Sequence, residues 1–205
     1  MNEIYNTQIE DGQELPILNG YDFYFKDFLT ALTQVDRQYL IWQYGINQQM
    51  GERVFAYEFY YRWRTITESN TYENLILNGE IRKDNSILRH QSLSEVYPDF
   101  VLHEQQNTLN QQLIACEIKT LRALEHSNGK KQLKKDIIKL GKYVDELQFR
   151  YSIFIQVLNS NNYLQNKLIP YLRRRESDLK NIDRITYVIK YHDRIQFDLL
   201  SNLLA

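Results

Sequence analysis

The feature that most restricts the fold is a pair of short apolar segments that each carry acid at a fixed place. These are Val96-Tyr97-Pro98-Asp99-Phe100-Val101-Leu102 and Leu113-Ile114-Ala115-Cys116-Glu117-Ile118-Lys119. Strand side chains alternate between faces, so Glu117 and Lys119 point one way while Ile114, Cys116 and Ile118 point the other. On the first segment Asp99, Val101 and His103 share a face, and Phe100 and Leu102 share the opposite one. Pro98 has no N–H to give to a ladder and suits the first residue of a strand. The polar linker from Glu104 to Gln112 contains the turn formers Asn107 and Asn110, which predicts a hairpin. Paired in this way, Asp99, Glu117 and Lys119 converge. Carboxylates on a rigid sheet with an amine beside them make a small site for a hard metal ion.

The remaining elements are read in order. Residues 1–20 are polar, with turn signals at Asp11-Gly12 and Asn19-Gly20, and are expected to form a loose arm. From Tyr21 to about Tyr44 the spacing of Phe25, Phe28, Leu29, Leu32, Val35, Tyr39 and Leu40 predicts one or two amphipathic helices. A further helix opens at Glu52, with Phe55, Ala56, Phe59, Trp63 and Ile66 as its apolar stripe. Glu52 falls in the middle of that stripe and Glu58 well off it. An acid so placed is either a first-turn charge favoured by the helix dipole or a group aimed into the sheet. Tyr72–Leu77 and Glu80–Lys83 flank Asn78-Gly79, which predicts a second hairpin. Arg89 and His90 lie in the polar connection that follows.

After the acidic segments, a helix is expected from Lys130 to Leu147, with Leu133, Ile137, Leu140, Val144 and Leu147 buried. Lys131, Lys134, Lys135, Lys139 and Lys142 occupy the rest, with Asp136 as their main counter-charge. Such a run forms either a solvated face or a contact for phosphate. Tyr151–Leu158 is a nearly continuous apolar run, expected as a strand buried on both faces. The helix before it makes a parallel crossover from the Glu117 strand the natural connection. A helix over Tyr163–Arg175, a strand over Ile185–Tyr191 and an amphipathic tail from Arg194 complete the chain. Arg173-Arg174-Arg175 would suit either a phosphate or the helix dipole.

Composition bounds the function. At 205 residues, with 43% hydrophobic and 25% charged content, the chain is expected to form a single domain over 1–205 with a substantial core. The net charge of −1 argues against an overall basic coat, so any nucleic-acid contact must be a local patch. With 1 Cys there is no internal disulfide, Cys-rich zinc site or iron–sulfur cluster. Cys116, inside an apolar strand, reads as a small buried hydrophobe. No apolar run is long enough to span a membrane, and Met1-Asn2-Glu3 lacks a signal-peptide start. A soluble, cytoplasmic protein is the expectation, with no membrane partner.

Pro98-Asp99 followed, after a short hairpin, by Glu117-Ile118-Lys119 resembles the PD-(D/E)xK nuclease superfamily, across roughly residues 51–158. The order helix, hairpin, Glu-x-Lys strand, helix, buried strand, helix, strand is similar to that superfamily's core. The resemblance implies a three-layer α/β fold, restriction-endonuclease-like, with a mixed central sheet flanked by helices and extra N-terminal helices. It implies that Asp99 and Glu117 hold Mg²⁺ or Mn²⁺, with help from the Ile118 carbonyl, and that Lys119 orients or activates water. Glu52 resembles the acid on the family's first core helix, with Glu58 in reserve, and would hold a water or second ion. Lys131, Lys134, Lys135, Lys139 and Lys142 would meet the nucleic-acid backbone. Some members carry Gln-x-x-x-Tyr on this helix; here Lys139 and Tyr143 have that spacing, with Lys replacing Gln. The implied activity is hydrolysis of phosphodiester bonds in nucleic acid, with DNA the expected substrate. A homodimer would allow both strands of a duplex to be cut. A non-catalytic nucleic-acid- or protein-binding module on the same scaffold is the alternative.

Overall fold

The computed structural model describes residues 7–11, 21–40, 43–44, 47–48, 51–70, 72, 74–79, 98–104, 112–121, 124, 128–158 and 163–205. Its centre is strand β6 (Gln112–Thr120), buried along both faces. Antiparallel to it runs β5 (Phe100–Glu104), with Phe100 opposite Cys116 and Leu102 opposite Ile114. The expected hairpin partners therefore pair, but the strand begins at Phe100. Pro98 and Asp99 precede it, and the Asp99 N–H donates to the Cys116 carbonyl at 3.0 Å. Beyond β5 lies the edge strand β4 (Leu75–Gly79).

On the other side of β6, β7 (Tyr151–Val157) and β8 (Ile185–Lys190) are parallel to it in turn. The antiparallel β9 (Arg194–Leu199) and β1 (Thr7–Glu10) complete a seven-stranded mixed open sheet in the order β1-β9-β8-β7-β6-β5-β4. A two-residue ribbon, β2 (Gln43–Tyr44) with β3 (Asn47–Gln48), stands apart from the sheet.

Alternation along the strands gives the sheet two cores. Phe100, Leu102, Ile114, Cys116, Ile118, Ile153 and Ile155 face helices α1 (Phe23–Thr33) and α2 (Glu52–Ser69). Phe28 and Phe59 pack against Trp63 there, with ring centroids 5.1 and 5.4 Å away. Helix α1 starts at Asp22, whose carboxylate accepts from the Tyr24 and Phe25 N–H groups and pairs with Arg150. Val101, Ala115, Phe154, Tyr187 and Ile189 face α3 (Gly129–Asp145), α4 (Ile169–Arg173) and α5 (Leu200–Leu204). A π-helical turn, Leu164–Leu168, leads into α4. The molecule is mixed α/β, with helices over both faces of the sheet. Among the described residues no helix is long and apolar enough to cross a membrane.

Four expectations are corrected. Asn78-Gly79 is not a turn: both residues lie in β4, and Gly79 pairs with Phe100. A Cβ at Gly79 would lie 2.7 Å from the Phe100 ring, so the glycine serves a close strand approach. Residues 80–97, including Arg89 and His90, are outside the described residues. The supposed loose arm supplies edge strand β1, anchored where Lys190 Nζ, itself fully buried, meets Asp11 at 2.6 Å. The tail is a strand before it is a helix, because Ile195, Phe197 and Leu199 alternate with polar residues. Arg173, one of the candidate phosphate-binding arginines, instead donates to the last carbonyls of α5, Leu204 and Leu203.

Helix α3 seats closely at Gly141, where an added Cβ would lie 2.8 Å from the Lys180 carbonyl oxygen. Helix propensity alone favours Ala over Gly by about 1 kcal/mol. We expect the opposite sign here. Gly141→Ala should destabilise the protein by about 1–3 kcal/mol in urea unfolding, because backbone cannot yield as a side chain can. An unchanged or higher midpoint would contradict this seating.

Candidate functional site

The acids gather at the carboxyl end of β6, around the Ile118 peptide. Asp99 Oδ2 accepts the Ile118 N–H at 2.7 Å. Lys119 Nζ donates to the Ile118 carbonyl at 3.0 Å and reaches Glu52 Oε1 at 3.4 Å. Glu52 comes from the first turn of α2, on the side of its buried stripe, as its place in the sequence predicts. Glu58, the reserve acid, instead pairs with Arg62 one turn along the same helix at 2.6 Å. Asp99, Glu117, Lys119 and Glu52 are thus brought to one end of β6.

Glu117 is only 2% exposed, and the lysine helix completes its surroundings. Lys139 Nζ lies 2.8 Å from Glu117 Oε1 and 3.1 Å from Asp136 Oδ1. The Tyr143 hydroxyl donates to Glu117 Oε1 at 3.4 Å. Asp136, 1% exposed, accepts from Gln132 at 3.2 Å, while its Oδ2 makes no hydrogen bond among the described residues and has the Lys119 ammonium 3.5 Å away. Asp136 is therefore a buried member of the cluster, not a solvated counter-charge. A signal for it existed: on a helix Asp136 lies one turn before Leu140 and two before Tyr143, beside the buried stripe. On the neighbouring strand Gln156 stands opposite Lys119, with its Oε1 taking the Tyr187 hydroxyl and its Nε2 buried without a partner among the described residues.

Of the other lysines proposed for backbone contact, Lys134 pairs with Asp178 at 2.6 Å. Lys131 and Lys135 are exposed, and Lys142 is half-buried in the last turn of α3. Lys139 alone turns in toward the acids.

Electrostatics follow from burial. Desolvation, then the Asp99 charge, pushes the Glu117 carboxyl up to about 8 against the pull of Lys139. Burial also raises Asp99, opposed by the Ile118 N–H. For Lys119 burial works against the charge, but Asp136, Glu52, Asp99 and Glu117 outweigh it and hold the pKa above its ordinary value. Burial pushes the Tyr143 phenol upward, and Glu117 adds to it. Cys116, fully buried, is likewise driven up by desolvation, which keeps it a thiol.

These donors suit a hard cation. They are oxygens only, two carboxylates and a peptide carbonyl, and the mutual repulsion of Asp99 and Glu117 is of the kind a divalent charge relieves. No group of three or more His, Cys, Asp or Glu side chains forms a ligand cage among the described residues. An open cleft of ≈ 490 Å³ leads in, bordered by Glu52, Arg53, Tyr57, Tyr60, Asp99 and Ile118.

Comparison with known family models, curated proteins and solved structures gives no match for this chain.

The raised Glu117 carboxyl gives a signed pH dependence. Between about pH 4.5 and pH 8 the folded chain binds a proton at Glu117 that the unfolded chain lacks, so stability falls as pH rises through that window. Urea unfolding in chelator at several pH values should show this fall in the wild type and a flatter profile in Glu117→Gln. Parallel profiles for the two proteins would contradict the assignment.

Proposed function

We propose that this chain is a metal-dependent nuclease with a restriction-endonuclease-like core, hydrolysing phosphodiester bonds, with DNA as substrate. The observation that carries the reading is the meeting of Asp99, Lys119 and Glu52 at the Ile118 peptide, with Glu117 next along β6. Asp99 and Glu117, with the Ile118 carbonyl, would hold Mg²⁺ or Mn²⁺. Such a cation supplies positive charge to a phosphate and makes water a better nucleophile.

The chain's own groups do the rest. Asp99, bonded to the Ile118 N–H, fixes the end of β6 against the start of β5. Lys119 remains an ammonium, held by Asp136 and Glu52, and can place positive charge where negative charge grows on the phosphate. Glu52 lines the cleft and is positioned to orient water at its mouth. Lys139 and Tyr143 hold Glu117 in place from α3. Packing of α3 keeps bulk water from the inner side of the cluster, which strengthens each of these interactions.

The test is nicking of supercoiled plasmid DNA with Mg²⁺ or Mn²⁺. Lys119→Ala should lower the rate about 10²–10³-fold, as expected for loss of one transition-state charge contact. Equal cleavage by wild type and Lys119→Ala would remove the mechanism.

One observation favours a second reading. The Lys139 ammonium already lies on the carboxylate that the resemblance assigns to the ion, at the position where some members of the resembled superfamily carry Gln. On this reading the scaffold binds nucleic acid or a protein without cutting. Retained nucleic-acid binding with no cleavage under either metal would favour it.

A further inference from the structure

Most aromatic side chains of the described residues lie in the two cores, but Tyr57 is 64% exposed and Tyr61 60% exposed, both on α2. They do not share one setting. At 3.6 residues per turn, Arg53, Tyr57, Tyr60 and Arg64 follow the spacing i, i+4, i+7, i+11 and form one face of the helix, over about 16 Å. Tyr61 falls farther round, toward solvent.

The face formed by these four borders a groove. The cleft at the acids, walled by Arg53, Tyr57 and Tyr60, is followed along α2 by a second of ≈ 460 Å³, walled by Tyr60, Arg64, Glu68, Tyr72 and Asn78. Tyr60 is common to both. Its ring stacks on Phe100 at 5.5 Å and its hydroxyl bonds the Leu77 carbonyl at 3.3 Å, so it is a fixed partition between them. Tyr57, by contrast, offers a ring to solvent at the mouth of the acid site.

The charges on α2 select the ligand. Glu58 neutralises Arg62, and Glu68 lies 2.6 Å from Arg64 in a pair exposed on both sides, which another anion can compete for. Arg53 makes no ion pair among the described residues. Cations spaced along a groove with aromatic rings between them fit a polyanion that carries flat apolar faces.

We propose that this groove binds a single strand of nucleic acid, with an unpaired base stacked on Tyr57 and phosphates on Arg53 and Arg64. A duplex keeps its base faces covered, whereas a single strand presents them for stacking. The strand would run along α2 to the acids. This rests on the nuclease reading for what happens at the end of the groove, and on the α2 face alone for binding.

The experiment is fluorescence anisotropy on the full chain in EDTA, with a labelled DNA strand, an RNA strand of the same sequence and the matching DNA duplex. Both Tyr57 and Tyr61 are exposed, so Tyr57→Ala and Tyr61→Ala should fold like the wild type, as checked by circular dichroism. Single strands should bind more tightly than duplex, and the tighter of the DNA and RNA strands identifies the preferred sugar. Tyr57→Ala should weaken binding about tenfold, and Tyr61→Ala by less than about twofold. Arg53→Ala should reduce the salt slope by about 0.7, the value for one phosphate contact on a single strand.

Equal losses from Tyr57→Ala and Tyr61→Ala, or duplex bound as tightly as single strand, would overturn the proposal. So would no binding to any oligonucleotide, which would leave the face to a protein partner. The two readings fail separately: binding without cleavage under Mg²⁺ or Mn²⁺ sinks the nuclease reading alone, and cleavage without single-strand binding sinks the groove alone.

Discussion

A carboxyl group at the centre of a sheet covered on both faces resists ionising, and the contact of Lys139 with Glu117 offsets that cost only in part, so the group holds its proton up to about pH 8. Removing one charge from water costs several kcal/mol unless a counter-charge and hydrogen bonds replace the solvent. Lys139 reaches in from α3, Tyr143 adds a hydroxyl and Asp136 steadies the ammonium from behind. The position of α3 and the charge state of β6 are therefore one problem. The helix is held for it by the close approach at Gly141 and by the Ser152 hydroxyl donating to the Leu140 carbonyl at 2.8 Å.

The two faces of the sheet do different work. The face toward α1 and α2 is a dry aromatic layer, in which Phe28, Phe59 and Trp63 set the distance of α2 from the strands. The first turn of α2 projects past that layer, so Glu52 comes to Lys119 at the strand ends. On the other face the charged groups of β6 stand toward its carboxyl end, at Glu117 and Lys119, with Gln156 of β7 opposite Lys119. Open sheets with parallel strands place ligands at those ends, where crossovers leave a crevice. Asp99 contributes because the β5–β6 ladder ends at Phe100 and Cys116, so the Ile118 N–H beyond it goes to the Asp99 carboxylate.

Much of this was legible before any fold was known, because it depends on local periodicity. Alternation along β6 assigned Ile114, Cys116 and Ile118 to one core and Glu117 to the other face. The helical angle of Glu52 put it among the buried residues of α2, and the helix between β6 and β7 implied their parallel pairing. What could not be read depends on distant partners. Thr7–Glu10 is a strand because Phe197 to Arg194 accept it, nearly the whole chain away. Asn78-Gly79 has strong turn chemistry, but pairing with Val101 and Phe100 overrides it. Asp136 was visible in part: its spacing to Leu140 and Tyr143 pointed inward, while the surrounding lysines suggested solvent. The groove face of α2 was also open to a helical-wheel reading, yet only the neighbouring strand β4 makes it a groove.

The central claim is that Asp99 and Glu117 serve one cation site at the end of β6. Mn²⁺ titration followed by electron paramagnetic resonance tests it without reference to any substrate. One ion should bind per chain, and both Asp99→Asn and Glu117→Gln should abolish binding while the fold persists. Absence of Mn²⁺ binding, or binding that survives both substitutions, would contradict the account.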